Sequence, residues 1–351
     1  ARAPGAGVPD PGFAVPSSAH TVGGRDPPFE VSGPVSLAAD RLGWGDLSLA
    51  GARGSGDLEL VSDAGLRLRL NGGLRASQGA WPLFGPAGRD DGPDLAAMKQ
   101  ALSRFALDIP AFSLVAGDGG TRLALSRPAT LRPATGGVLT VSPAREPFFA
   151  AAPGQRGGGA FSLTAARGRG LPEGTFSVPA WGLTADGFFA DLDGRAALDF
   201  ELARGVALNT RGRLTSSNGR ITYVAAGCTP VTVERLELGE NDVTAISGNA
   251  CPIDRPLVSI ADGRWRADGA LSGLDASAPF LALHFRDARG RFAATGGPAG
   301  LGLDARIDSA VVADATTPLR FHPLQAAGAA RLANEDWTGA FDLSREDVVL
   351  G

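Results

Sequence analysis

Between residues 188 and 224 apolar and polar side chains alternate with few interruptions, and the same texture covers most of the chain. Strand side chains point to opposite faces with a period of two. Leu198, Phe200 and Leu202 therefore fall on one side of a strand, and Asp199, Glu201 and Ala203 on the other. The pattern recurs at Leu58 and Leu60, at Leu66, Leu68 and Leu70, at Leu281, Leu283 and Phe285, at Leu301 and Leu303, and at Phe341 and Leu343. The expected fold class is mainly β: a long antiparallel meander with one apolar face. Such a face must be covered or used, because exposed apolar patches beyond a few hundred Å² mark interaction surfaces.

Punctuation divides the chain. Residues 1–34 are rich in Pro and Gly and are expected to be irregular or to form an edge, since proline cannot donate to a central ladder. A first β part is expected over 35–142, a loose Pro/Gly-rich junction over 143–160, and a more regular β part over 161–351. Asn71-Gly72, Asp186-Gly187, Asp193-Gly194, Asn218-Gly219, Asp262-Gly263 and Asp268-Gly269 read as turns, as does the run 117–120. One segment breaks the alternation. Leu95, Met98, Leu102 and Phe105 recur at helical spacing behind Pro93 and Asp94, which predicts a short amphipathic helix over 94–107 stopped before Pro110. No repeat of fixed 20 to 50 residue period is visible.

The 351 residues include 50 Gly and 25 Pro, yet Leu, Val, Phe and Ala stay abundant, so the chain reads as turn-rich β-structure and not as disorder. A formal net charge of -4 with interspersed signs gives no basic field for nucleic acid or for an anionic membrane surface. The only methionine is Met98, so Ala1 is read as the start of an internal segment or trimmed product. Cys228 and Cys251 flank a predicted hairpin and fall opposite each other about its turn, so they are expected to form a disulfide and to place the chain in an oxidising compartment. No metal site is expected, since there is no CxxC and His20, His284 and His322 are dispersed. No phosphate loop, dinucleotide fingerprint, GxSxG elbow or HExxH pair can be assembled, so neither a catalytic residue nor a cofactor is expected.

The alternation fits a closed sandwich or solenoid with its own core. It fits equally a sheet curled into a U whose concave face stays apolar for a guest. The stretch from Cys228 to Thr244, the following Cys251-Pro252, and residues 317–324 resemble YdbH-type proteins of the AsmA-like/TamB superfamily. This resemblance is most specific over about residues 180–350. It implies an elongated U-shaped β-groove in the periplasm that carries phospholipids between inner and outer membranes. It also implies an inner-membrane anchor lying outside this segment, and a small outer-membrane lipoprotein that extends the sheet. The residues expected to line such a groove are Leu66, Leu68, Leu70, Leu198, Phe200, Leu202, Leu281, Leu283, Phe285, Leu301 and Leu303. An adhesive or structural autotransporter-like solenoid and a glycan-active enzyme are the other readings. An older family label, dicarboxylate transport, finds no convergent arginine site in the sequence.

Overall fold

A computed structural model describes residues 29–345 except 45, 64, 83–87, 90, 92, 201, 239, 298–299 and 334–335. The part of the Pro/Gly-rich segment over 1–28 lies outside the described residues. The strands are β1 Phe29–Trp44, β2 Leu47–Ser62, β3 Leu66–Ala80, β4 Phe105–Gly117, β5 Gly120–Leu125, β6 Ala129–Pro133 and β7 Val138–Pro143. Then come β8 Phe149–Ala151, β9 Gly158–Ala166, β10 Glu173–Leu183, β11 Gly187–Phe200, β12 Ala203–Ser217, β13 Arg220–Ala225 and β14 Thr229–Leu236. The last seven are β15 Val243–Cys251, β16 Val258–Ala261, β17 Arg264–Ala278, β18 Leu283–Gly296, β19 Gly302–Asp314, β20 Leu324–Ala333 and β21 Asp336–Arg345. One helix, α1 Pro93–Ser103, joins β3 to β4.

All of these strands belong to one 21-stranded antiparallel sheet. Most rungs are single long strands paired with their sequence neighbours, as in β1–β2–β3–β4 and β17–β18–β19–β20–β21. Twice a rung is shared by two collinear strands. β5 and β6 lie end to end along β4, β8 and β7 lie end to end along them, and β9 spans both. In the same way β13 and β14 lie along β12, β16 and β15 follow, and β17 spans both. The ladder therefore continues through residues 143–160.

These two split regions are structural equivalents offset by 100 residues over their first halves. Ser126 N–H donates to Ala111 O at 3.0 Å, and Ala226 N–H to Arg211 O at 2.8 Å. Ala134 N–H donates to Arg104 O at 2.9 Å, and Glu237 N–H to Leu202 O at 2.8 Å. Residues 120–133 and 220–233 share no identical position, so this structural equivalence offers no mark a sequence period could carry.

Several turn expectations are corrected. Asn218-Gly219 and Asp262-Gly263 are two-residue turns, with φ of 51° and 74° and of 52° and 72°. Asn71-Gly72, Asp193-Gly194 and Asp268-Gly269 instead lie inside β3, β11 and β17. Their glycines serve close approach across the ladder. Gly72 faces Gly56, Gly194 faces Phe176, and Gly269 faces Phe292, whose ring would stand 2.7 Å from an added Cβ. A ring lying over a cross-strand glycine covers the backbone that glycine bares. The same relation joins Gly79 to Phe105 and Gly296 to Trp265.

The helix is shorter than expected. It ends at Ser103, and Phe105 opens β4, 2% exposed, where pairing with β3 and β6 outcompetes another helical turn. Leu95, Ala101 and Leu102 are buried on it. Residues 29–34 are not irregular but begin β1, which pairs only with β2 among the described residues. Pro34 is tolerated there because an edge strand leaves one row of donors unused.

Candidate functional site

The ladder register builds one apolar face from residues far apart in sequence. Ala39, Ala52, Ala76, Leu107, Leu131, Leu139, Ala165, Gly174, Ala196, Leu208, Val231 and Gly248 follow one another directly across twelve strands from β1 to β15. At about 4.8 Å per strand this row alone runs ~50 Å. Beside it Leu58, Leu70, Leu114, Leu123 and Phe149 form a second row. The opposite face carries cross-strand ion pairs: Arg69 with Glu59, Arg75 with Asp108, Arg211 with Asp193, Arg213 with Asp191 and Arg331 with Asp304. These pairs are exposed and individually worth less than about 1 kcal/mol. Their effect is to keep that side in water.

Among the described residues all strands belong to one sheet, so no second sheet covers the apolar face. Among the described residues its large side chains are mostly half-exposed, while Leu49, Phe105, Leu125, Val178, Ile221, Val312 and Leu332 are buried. The accessible surface is 21598 Å², whereas a compact monomer of 35.7 kDa exposes about 13,000 Å². Were residues 1–28 and 346–351 granted their full unfolded area of ~5,000 Å², the remainder would still exceed the ~12,000 Å² of a compact body its size.

The face is bent. Phe200 closes β11 at one end of its rung, while Trp265, the second residue of β17, lies at the other end of a rung four further along. In a flat sheet those positions would stand on the order of 45 Å apart. Their rings instead lie 5.0 Å apart, edge to face. Both belong to the apolar side by register, so that side is concave where they meet. An edge-to-face pair contributes about 1 kcal/mol. The indole N–H of Trp265 is buried without an acceptor among the described residues, which costs about 1–3 kcal/mol. The contact is therefore weakly held. A second aromatic group, Phe148, Phe149, Phe161 and Trp181, sits over the first split region, with ring centroids 5.5 to 6.0 Å apart and the Trp181 indole donating to Phe148 O at 2.8 Å.

Of the residues expected on this face, the register places Leu66, Leu68, Leu70, Leu198, Phe200, Leu283, Phe285 and Leu303 on it. Leu202 is corrected: it lies in the turn between β11 and β12. Leu281 is also corrected, ending a single 3-10 turn, Pro279–Leu281, at 46% exposure. Ala282, with φ of 53°, breaks the alternation before β18 begins. Leu301 precedes β19 and so is outside the ladder.

Next to Leu283 the face ends in a polar clasp. The buried Asp314 carboxylate accepts from Arg320 Nε at 3.0 Å, from Arg320 Nη2 at 2.8 Å and from the Thr316 hydroxyl at 2.7 Å. Hydrogen bonding to Arg320 holds this carboxyl well below its ordinary range despite burial. Arg320 also donates to Leu281 O at 2.9 Å and to Ala282 O at 3.1 Å, tying the loop after β19 to the 3-10 turn. Sequence reasoning overlooked the aromatic group, Trp265 and this clasp: the ring contacts join residues of different rungs, and the clasp forms in loops where alternation gives no signal.

Two shallow depressions open on the sheet, one lined by Glu173, Thr175, Arg195 and Thr232 with Ala196 and Leu208 of the apolar row, the other by Arg204, Glu234, Arg235 and Glu237. Neither contains a histidine or cysteine. Among the described residues no group of three or more His, Cys, Asp or Glu is placed to hold a metal ion, and no helix is long and apolar enough to cross a membrane. Cys228 and Cys251 are joined by a disulfide that clamps the β13–β14 crossover to the end of β15. No protein-family model, curated protein or solved structure matches the chain.

Proposed function

We propose that this chain is a segment of a bridge-like lipid carrier, in which phospholipid acyl chains travel along the apolar face of a curled β-groove. The observation that carries the reading is an apolar face continuous across the sheet, half-exposed, and bent so that Phe200 and Trp265 meet. Exposing a 16-carbon acyl chain to water costs on the order of 12 kcal/mol. A groove with apolar residues at each strand spacing lowers that cost along its whole length. It also offers neighbouring positions of similar energy, between which a chain can slide.

The resemblance to YdbH-type proteins points the same way. On this reading the segment bridges the periplasm, with an inner-membrane anchor and a small outer-membrane lipoprotein as partners. The Cys228–Cys251 disulfide suits an oxidising compartment. A closed adhesive solenoid is disfavoured because its large aliphatic residues would be buried among neighbouring rungs, whereas here most of those described stay half-exposed. Dicarboxylate transport would call for cations on the face, whereas Arg69, Arg211, Arg213 and Arg331 pair with carboxylates on the other side.

The test is native mass spectrometry with lipid extraction on protein secreted to an oxidising compartment. Stoichiometric phospholipid is expected, reduced at least tenfold by Phe200→Asp together with Leu283→Asp. Both positions are partly exposed, so the double variant should keep its β circular dichroism. A lipid-free wild type, or equal loss of folding and lipid, would overturn the reading.

A further inference from the structure

The apolar face carries interior hydroxyls at one place. Away from the last two residues at either end of a rung, every ladder-paired position described on this face is aliphatic, aromatic, glycine or proline except Thr210, Tyr223 and Thr229. These three, from β12, β13 and β14, touch one another. Thr210 Oγ1 lies 2.5 Å from Tyr223 Oη and 2.9 Å from Thr229 Oγ1.

The arrangement leaves one hydrogen over. Three hydroxyls supply three donors, and two contacts consume two. No further acceptor for them occurs among the described residues. Thr229 is 4% exposed and Thr210 9%, while Tyr223 is half-buried. If the chain of bonds ran from Tyr223 inward, the spare hydrogen would be stranded at Thr229, where an unpaired buried donor is costly. Running outward, Thr229 donates to Thr210, Thr210 donates to Tyr223, and the phenol hydrogen emerges at the accessible end. Successive bonds in one direction polarise one another and make that last donor stronger.

Resting on the lipid-carrying reading, we propose that Tyr223 is a polar station in the groove that donates to a neutral ester carbonyl of an acylglycerol guest. An ester is favoured over a carboxylate or phosphate because, among the described residues, no Arg or Lys occupies an interior ladder-paired position of this face. Arg211 and Arg213, the nearest along β12, pair with Asp193 and Asp191 on the opposite face. An anion placed there would lose its hydration without a counter-charge. Burial, partly offset by the bond to Thr210, raises the Tyr223 phenol above its ordinary value, so it stays a donor at neutral pH.

The test compares a diacyl phosphatidylethanolamine with its dialkyl-ether analogue, which keeps the chains and headgroup but lacks both carbonyls. Each is offered in phosphatidylcholine vesicles to wild type, Tyr223→Phe and Thr210→Val, and bound lipid is counted by native mass spectrometry. Wild type is expected to prefer the diester about fivefold. Tyr223→Phe, which keeps the ring, should bring the ratio to one by weakening the diester alone, and Thr210→Val should fall between. A wild-type ratio of one with both lipids bound, or an unchanged preference in Tyr223→Phe, overturns the station and leaves the groove standing. Binding of no lipid at all, the vesicle phosphatidylcholine included, overturns the groove, and the station with it.

Discussion

Replacing both Cys228 and Cys251 by alanine is expected to lower unfolding free energy by about 3.4 kcal/mol, the entropy the cross-link removes from an unfolded loop of ~24 residues. The sequence separation is 23, and the bond spans the crossover from β13 to β14 together with the β14–β15 hairpin. The first split region manages without a cross-link: by register its Pro128 and Ser142 occupy the places of Cys228 and Cys251. Proline fixes φ and restricts the residue before it, so it limits the wandering of a crossover by local means. The disulfide does so by a long-range tie. Equilibrium urea unfolding should record the lower midpoint. Amide exchange should rise mainly over 226–251 and much less over 126–142. A uniform rise across the sheet would show that the bond acts on the fold as a whole and not on this crossover.

The second large effect is expected at the chain's only lysine. Lys99 on α1 donates to Asp91 at 2.6 Å, with side-chain exposures of 7% and 2%, and Gly88 N–H also donates to Asp91 at 2.6 Å. Lys99→Met leaves that carboxylate buried without its cation and should cost about 3 kcal/mol. Replacing both partners, as Lys99→Met with Asp91→Leu, should recover most of the loss, because no charge is then stranded. The pH dependence should reverse between variants. In the wild type burial pushes the Asp91 carboxyl up, but bonding to Lys99 and to the Gly88 N–H outweighs it and holds the group below its ordinary 3.8. Its contribution is therefore present above pH 3.8 and is lost as pH falls through the lower folded value. In Lys99→Met only burial and the Gly88 bond remain, so the variant should be relatively more stable in acid than at neutral pH. Melting temperatures of the three proteins between pH 3 and 7 measure both signs. Parallel curves for wild type and Lys99→Met would mean that the pair is well solvated.

The period-two alternation fixed the strand faces, because a side chain's side is set by its own position along a strand. That is why Leu68, Leu198, Phe285 and Leu303 are found on the expected side. The Cys228–Cys251 pairing was also legible, since a hairpin centred between two cysteines brings them opposite. Local signals failed where two structures use the same residues. Asp193-Gly194 and Asp268-Gly269 resemble turns, but their glycines lie under Phe176 and Phe292, partners from neighbouring strands. Leu281 and Leu202 fit the alternation and are nevertheless displaced by a left-handed residue and by a turn.

What the sequence determined by itself was a long antiparallel sheet with one apolar side, one helix and one disulfide, because each depends on neighbours in the chain or on a single turn. What only the tertiary structure decided was what lies across from what. The duplicated split rungs, the meeting of Phe200 with Trp265 and the clustering of Thr210, Tyr223 and Thr229 all depend on ladder register and curvature summed over several strands. Periodicity records which side a residue faces. It carries no term for how far the sheet bends or which distant rung the residue will meet.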